Sequence, residues 1–114
     1  MWPLSPLQEG LLFHALYDER GPDVYVVQHF FDLAGPVDAE RLRAAGQALL
    51  DRHENLRTGI RTLGSGRVVQ VIPARVALPW READLRGVTE PQAAAVALAG
   101  AERAERFDLG VPPL

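Results

Sequence analysis

The chain has 114 residues, 47% of them apolar and 24% charged, with a formal net charge of -3. That is the length of one domain or part of one, long enough to bury about two-thirds of its unfolded surface, with an ordinary globular composition. The charge gives no electrostatic ground for nucleic acid or an anionic membrane as partner, and no apolar run approaches the ~20 residues that span a bilayer.

With no cysteine there is no disulfide framework, thiolate nucleophile or thiolate metal site. A reducing cytoplasm fits, and Met1-Trp2-Pro3-Leu4 lacks the basic n-region of a secretory signal. All twelve basic residues are arginine, which reads as codon bias of a GC-rich genome rather than as function.

Ser5-Pro6-Leu7-Gln8 has the form of a capping box with proline at the first helical position. It predicts a helix from Leu7 to about Tyr17, buried on most sides and ended by Gly21-Pro22. Val24 to Leu33 is β-branched and aromatic on both alternating faces, which predicts an interior strand covered on two sides. Gly35-Pro36 breaks it. Asp38 is placed to cap a second helix from Ala39 to about His53, with Leu42, Ala45, Gly46, Leu49, Leu50 and His53 on one stripe. Gly46 costs that helix about 1 kcal/mol against alanine and permits close packing.

Leu56 to Thr62 and Val68 to Ile72 read as a hairpin around Gly64-Ser65-Gly66, with a short further strand at Val76 to Trp80. Thr89-Glu90-Pro91-Gln92 forms a second capping box. The helix after it has a stripe of mostly alanine and glycine (Ala93 to Phe107), so it is expected to lie close against a partner surface. The order α, β, α, hairpin, β, α makes an α/β or α+β layer, helices packed on a small mixed sheet. Arg106 to Leu114 leaves a helix and points into something, the pattern of a chain cut inside a domain.

His14, His29 and His53 are the residues able to act as a base near neutral pH without a large pKa shift. None stands in an HxH, HxxxH or HExxH pair, so no zinc site is expected. His14 on an apolar helix and His29 on an apolar strand are expected as hydrogen-bonded structural histidines. His53, beside Arg52, Glu54 and Arg57, is expected to cap carbonyls at its helix C-terminus. Ser5 caps a helix and Ser65 sits in a turn, so no Ser-His-Asp set forms. Gly64-Ser65-Gly66 precedes a strand and is too short for a phosphate loop. Trp2 and Trp80 read as core filling.

Arg52-His53-Glu54-Asn55-Leu56-Arg57-Thr58 gathers two cations, an imidazole and a carboxylate where a helix hands over to a β-type run. It resembles the second motif, RHExLRTxF, of the condensation domains of nonribosomal peptide synthetases, with Ile60 in place of the final aromatic. Leu4 to Leu16 resembles that family's opening motif. Arg106-Phe107-Asp108-Leu109 with Pro113-Leu114 resembles the segment leading to its next strands.

The resemblance implies a pseudo-dimer of two chloramphenicol-acetyltransferase-like lobes around a tunnel, about four times this length. Carrier proteins there present donor and acceptor thioesters on phosphopantetheine arms, and the acceptor amine attacks the donor thioester. Residues 1–114 would be the N-terminal part of the first lobe, ahead of the HHxxxDG histidine motif, which these residues do not contain. The partners implied are peptidyl or acyl carrier domains and the rest of the synthetase, with no cofactor bound directly.

In that family the second motif scaffolds the catalytic loop, and a buried arginine would hold the loop's aspartate in bidentate geometry. Arg57 is the first choice for it and Arg52 the second. With that aspartate outside these residues, the arginine is expected to turn to solvent, because a buried unpaired charge costs about 3–5 kcal/mol. The functional expectation is a piece of a peptide-bond-forming enzyme, inactive alone. The alternatives are a non-catalytic carrier-docking module and a truncated reading frame without function.

Overall fold

Local sequence signals set the starts of two helices in a computed structural model that describes residues 1–17 and 25–114. The Gly21-Pro22 stop and the start of the strand at Val24 lie outside the described residues. At the front, the Gln8 N–H donates to Ser5 Oγ (3.3 Å) and the Ser5 N–H donates to Gln8 Oε1 (2.8 Å). This reciprocal cap opens α1, Pro6–Tyr17. Asp38 Oδ1 accepts the Arg41 N–H at 3.0 Å and opens α2, Ala39–Arg52.

The hairpin forms as its glycine turn predicts. Strands β2 (Gly59–Thr62) and β3 (Val68–Val71) pair antiparallel, with Ile60 opposite Gln70 and Arg61 opposite Val69. An unforeseen strand, β1 (Trp2–Pro3), pairs with the other edge of β3, giving the order β1-β3-β2. The result is the expected α+β layer, with an antiparallel rather than mixed sheet. Among the described residues, Leu4, Leu50 and Val69 are the buried apolar side chains.

Four expectations fail. Residues 26–34 form no strand. A strand needs a ladder, and among the described residues none of their backbone groups bonds another backbone group. Val76 to Trp80 is not a strand either. Its polar groups go to a helix side chain, with Leu78 N–H donating to Gln47 Oε1 (2.8 Å) and Gln47 Nε2 donating to Val76 O (2.9 Å). Gly46 gives this segment its room, since a Cβ there would lie 2.7 Å from Leu78 Cδ2.

The third helix, α3 (Pro91–Ala104), starts from Glu90 without a side-chain cap, so the Thr89–Gln92 capping box does not form. It buries no residue, and neither does α1, on which Leu7 is 74% and Leu16 61% exposed. Hydrogen bonds and ion pairs tie α3 down: Gln28 Nε2 donates to Ala99 O (2.9 Å), and Arg81 pairs with Glu102 (2.8 Å) and Glu105 (3.3 Å). The Glu105 hydrogen bond, then the Glu102 charge, holds the Arg81 guanidinium above its usual pKa. Arg86 holds the Asp84 carboxyl below its own by hydrogen bonding. These pairs are exposed, and such pairs add little stability.

Loose packing shows in the dimensions. The radius of gyration is 17.1 Å, against about 13 Å for a compact chain of this length. The accessible surface is 9479 Å², against about 6,200 Å² for a compact monomer of this mass. Helices that read as buried therefore lie with apolar faces open.

The C-terminal stretch docks on the free edge of β2, where Ile60 N–H donates to Leu109 O at 2.7 Å. Gly59 makes this approach possible. A Cβ there would lie 3.0 Å from Pro112 Cδ and 3.4 Å from Gly110 O, neighbours that a ring and a backbone hold in place. Gly59→Ala is expected to cost about 1–3 kcal/mol, read from the midpoint of urea unfolding. An unchanged midpoint would mean the stretch does not dock there.

Candidate functional site

The Arg52–Thr58 stretch makes the corner between α2 and β2. His53 leaves the helix with φ -110° and ψ 96°, and its N–H closes the last turn onto Leu49 O at 3.0 Å. Residues Glu54–Arg57 then form one 3-10 turn, with Leu56 N–H bonded to His53 O and Thr58 N–H to Asn55 O. The β-type run therefore begins at Gly59, three residues later than the apolar pattern from Leu56 suggested.

Tight turning swings Arg57 back under the helix it has just left. Its side chain does not turn to solvent: Arg57 is 8% exposed, the buried charged residue among those described. The error in the expectation is physical. A helix end leaves up to four carbonyls without intrahelical partners and carries partial negative charge. Arg57 Nη1 donates to Leu50 O and to Asp51 O (2.8 Å), and Nε donates to Pro73 O (3.1 Å). Three carbonyls offset the burial that an aspartate was expected to offset. One guanidinium thereby staples the end of α2 to the exit from β3.

Both Nη2 hydrogens remain without a hydrogen bond among the described residues. Arg52 and His53 are exposed, and neither side chain has a hydrogen bond or ion pair among them. His53 caps the helix with its backbone, not its imidazole.

The other candidates lie apart from this corner. His14 is exposed on α1, its ring 5.9 Å from those of Phe13 and Tyr25. His29 is exposed against Phe31 at 6.3 Å. Neither is the hydrogen-bonded structural histidine expected of it. Trp2 is 65% exposed rather than core, and Trp80 donates its indole N–H to Glu82 at 2.7 Å. Among the described residues no three His, Cys, Asp or Glu side chains gather as metal ligands. No described helix is long and apolar enough to cross a membrane.

Beside the corner runs a groove of about 510 Å³ between α1 and β2, walled by Leu11, Leu12, Leu56, Ile60 and Phe107, with Gln8 and Asn55 on its lining. Gln8 is fixed there by a relay that sequence reading missed. Its Nε2 donates to Gln70 Oε1 (3.2 Å), and Gln70 Nε2 donates to Pro3 O (2.9 Å), so α1, β3 and β1 are tied by two amides. A glutamine on a surface strand gives no signal of such a role in one sequence. Nothing at the corner pairs a base with a nucleophile among the described residues. What the arrangement does is hold a buried cation rigid at a helix end.

The chain is similar in sequence to known proteins. The Condensation domain family matches residues 1–114. One of the linear gramicidin synthase proteins of Brevibacillus parabrevis is 39% identical over 100% of this chain. Nonribosomal peptide synthetase lenA of Aspergillus lentulus is 32% identical over 95%, and malpibaldin synthetase of Mortierella alpina 33% over 97%. The chain spans about 2% of the length of each of these relatives. With the match running through both Leu4–Leu16 and Arg52–Thr58, the chain belongs to the Condensation domain family.

Proposed function

We propose that these residues form the N-terminal part of the first lobe of a condensation domain in a nonribosomal peptide synthetase, a cytoplasmic assembly. That domain joins carrier-bound aminoacyl or peptidyl thioesters by amide-bond formation. The observation that carries the reading is the family match over 1–114. The peptidyl and acyl carrier domains bring the phosphopantetheine arms, and this chain binds no cofactor itself.

Within that reading Arg57, Arg52 and His53 are scaffold, not reacting groups. Arg57 offers its two Nη2 hydrogens to the catalytic-loop carboxylate while Nη1 and Nε stay on carbonyls. The contact is then end-on through one nitrogen, rather than the side-on fork. Arg52, exposed at the same corner, supplies a second cation, and His53 sets the helix end.

Proton handling at the acceptor amine belongs to the HHxxxDG histidine, and residues 1–114 contain no His-His pair. The purified 114-residue protein, given loaded donor and acceptor carriers, is therefore expected to release no amide product. Replacing the matching residues of an active condensation domain with this chain is expected to preserve product formation. Turnover by the 114 residues alone, or a soluble but inactive chimera, would overturn the proposal.

A further inference from the structure

Gln47 lies on α2 one turn before Asp51, and its amide joins three parts of the chain. Nε2 donates to Asp51 Oδ1 (3.0 Å) and to Val76 O (2.9 Å), and Oε1 accepts the Leu78 N–H (2.8 Å). Both amide hydrogens are thereby spent. The segment it grips, residues 73–78, forms no helix or strand, and among the described residues none of its backbone groups bonds another backbone group. One side-chain amide stands in for a neighbouring strand, giving a donor to Val76 and an acceptor to Leu78.

The other end of the segment is held by Arg57, whose Nε donates to Pro73 O (3.1 Å). Arg57 Nη1 returns to α2 on Leu50 O and Asp51 O. Gln47, Asp51, Arg57, Pro73 and Val76 therefore close a ring, with α2 on one side and residues 73–76 on the other. Every bond of that ring lies inside the chain, so it closes whatever packs outside. Val76 is three residues from Pro73, a link of at most about 10 Å, so release at Val76 loosens Pro73. The other tether of Pro73 is the end of β3, two residues back.

The three carbonyls on Arg57 do different work. Leu50 O and Asp51 O both meet Nη1, and a group held at one nitrogen pivots about it. Pro73 O on Nε is the second point, and two points fix the plane of a guanidinium. We infer that Gln47 is a positioning residue for Arg57: it keeps residues 73–78 on α2, so that Pro73 O sets the guanidinium plane and the direction of Nη2. This rests on the scaffold role proposed for Arg57, in which Nη2 meets the catalytic-loop carboxylate.

Proton exchange tests the link in the 114-residue protein itself. Arg57→Lys identifies the Arg57 Nε–H signal by its loss from the proton–nitrogen NMR spectrum. Gln47→Met keeps the length of the side chain and removes its amide. It is expected to speed exchange of the Arg57 Nε–H by about tenfold or more, the factor lost with one hydrogen bond of a charged donor. The Ile60 N–H, bonded to Leu109 O at the free edge of β2, reports general loosening and is expected to change less than about twofold. In an active condensation domain carrying this chain in place of its matching residues, Gln47→Met is expected to lower kcat about tenfold and leave KM for the loaded carriers within about twofold, because a misaimed cation costs rate rather than carrier binding. Equal quickening at both sites, an unchanged Arg57 signal, a variant that does not fold, or an unchanged kcat would each overturn the proposal. An unmutated chimera without product would instead overturn the function proposed above, and the exchange rates would still decide whether Gln47 aims Arg57.

Discussion

Arg57→Met is expected to lower the stability of the chain by about 3 kcal/mol. Methionine keeps the apolar stem but leaves the carbonyls of Leu50, Asp51 and Pro73 without their donor. A buried acceptor left unpaired costs about 1–3 kcal/mol, and hydrogen bonds from a charged donor sit at the stronger end. The helix end also loses the cation that its dipole favours. Arg57→Lys is expected to recover about half of the loss, because one ammonium cannot present the guanidinium's spread of donors to both the helix end and Pro73. Urea unfolding followed by far-UV circular dichroism reads both variants. A midpoint for Arg57→Met equal to the wild type would show that the carbonyls find water instead, and the staple would carry nothing.

Leu50→Ala is expected to cost about 2–5 kcal/mol, the transfer of the side chain plus the cavity it leaves. Leu50 is 4% exposed and, with Leu4 and Val69, makes up the buried apolar set among the described residues. With so few buried side chains the loss falls on the whole fold. Leu49→Ala is the control: Leu49, beside Leu50 on the same helix, is 56% exposed, so its loss is expected to stay below about 1 kcal/mol. Equal losses at the two positions would mean that α2 presents a different face to the sheet.

How legible the fold was depended on the range of the forces involved. Capping is local, so Ser5, Gln8 and Asp38 named the starts of α1 and α2 correctly. Gly64-Ser65-Gly66 placed the hairpin for the same reason. Thr89-Glu90-Pro91-Gln92 carried the same local pattern yet formed no cap, because the helix starts one residue later, at Pro91. Burial is not local. The apolar stripes of α1 and α3 are real, but a stripe states what a face would accept and not whether anything covers it. Val24 to Leu33 failed likewise: β propensity fits a residue to a ladder and cannot supply the neighbouring strand.

The Arg52–Thr58 stretch was recognised by its residues, and the family match bears that out. The environment of Arg57 was not legible. Its partners are backbone carbonyls, and every residue type carries one, so no side-chain pattern marks them. Gln47 and Gln70 were invisible for the same reason, since each serves as an amide bridge to backbone or to another amide.

By itself, then, the sequence determined the starts of α1 and α2, the hairpin and the family, all of which are written in short runs of side chains. The tertiary structure alone decided that Arg57 is buried on three carbonyls, that β1 joins the sheet, and that two helices keep their apolar faces open. The division has one cause: side-chain identity is local information, whereas which backbone group ends up beside which side chain is settled only when distant parts of the chain meet.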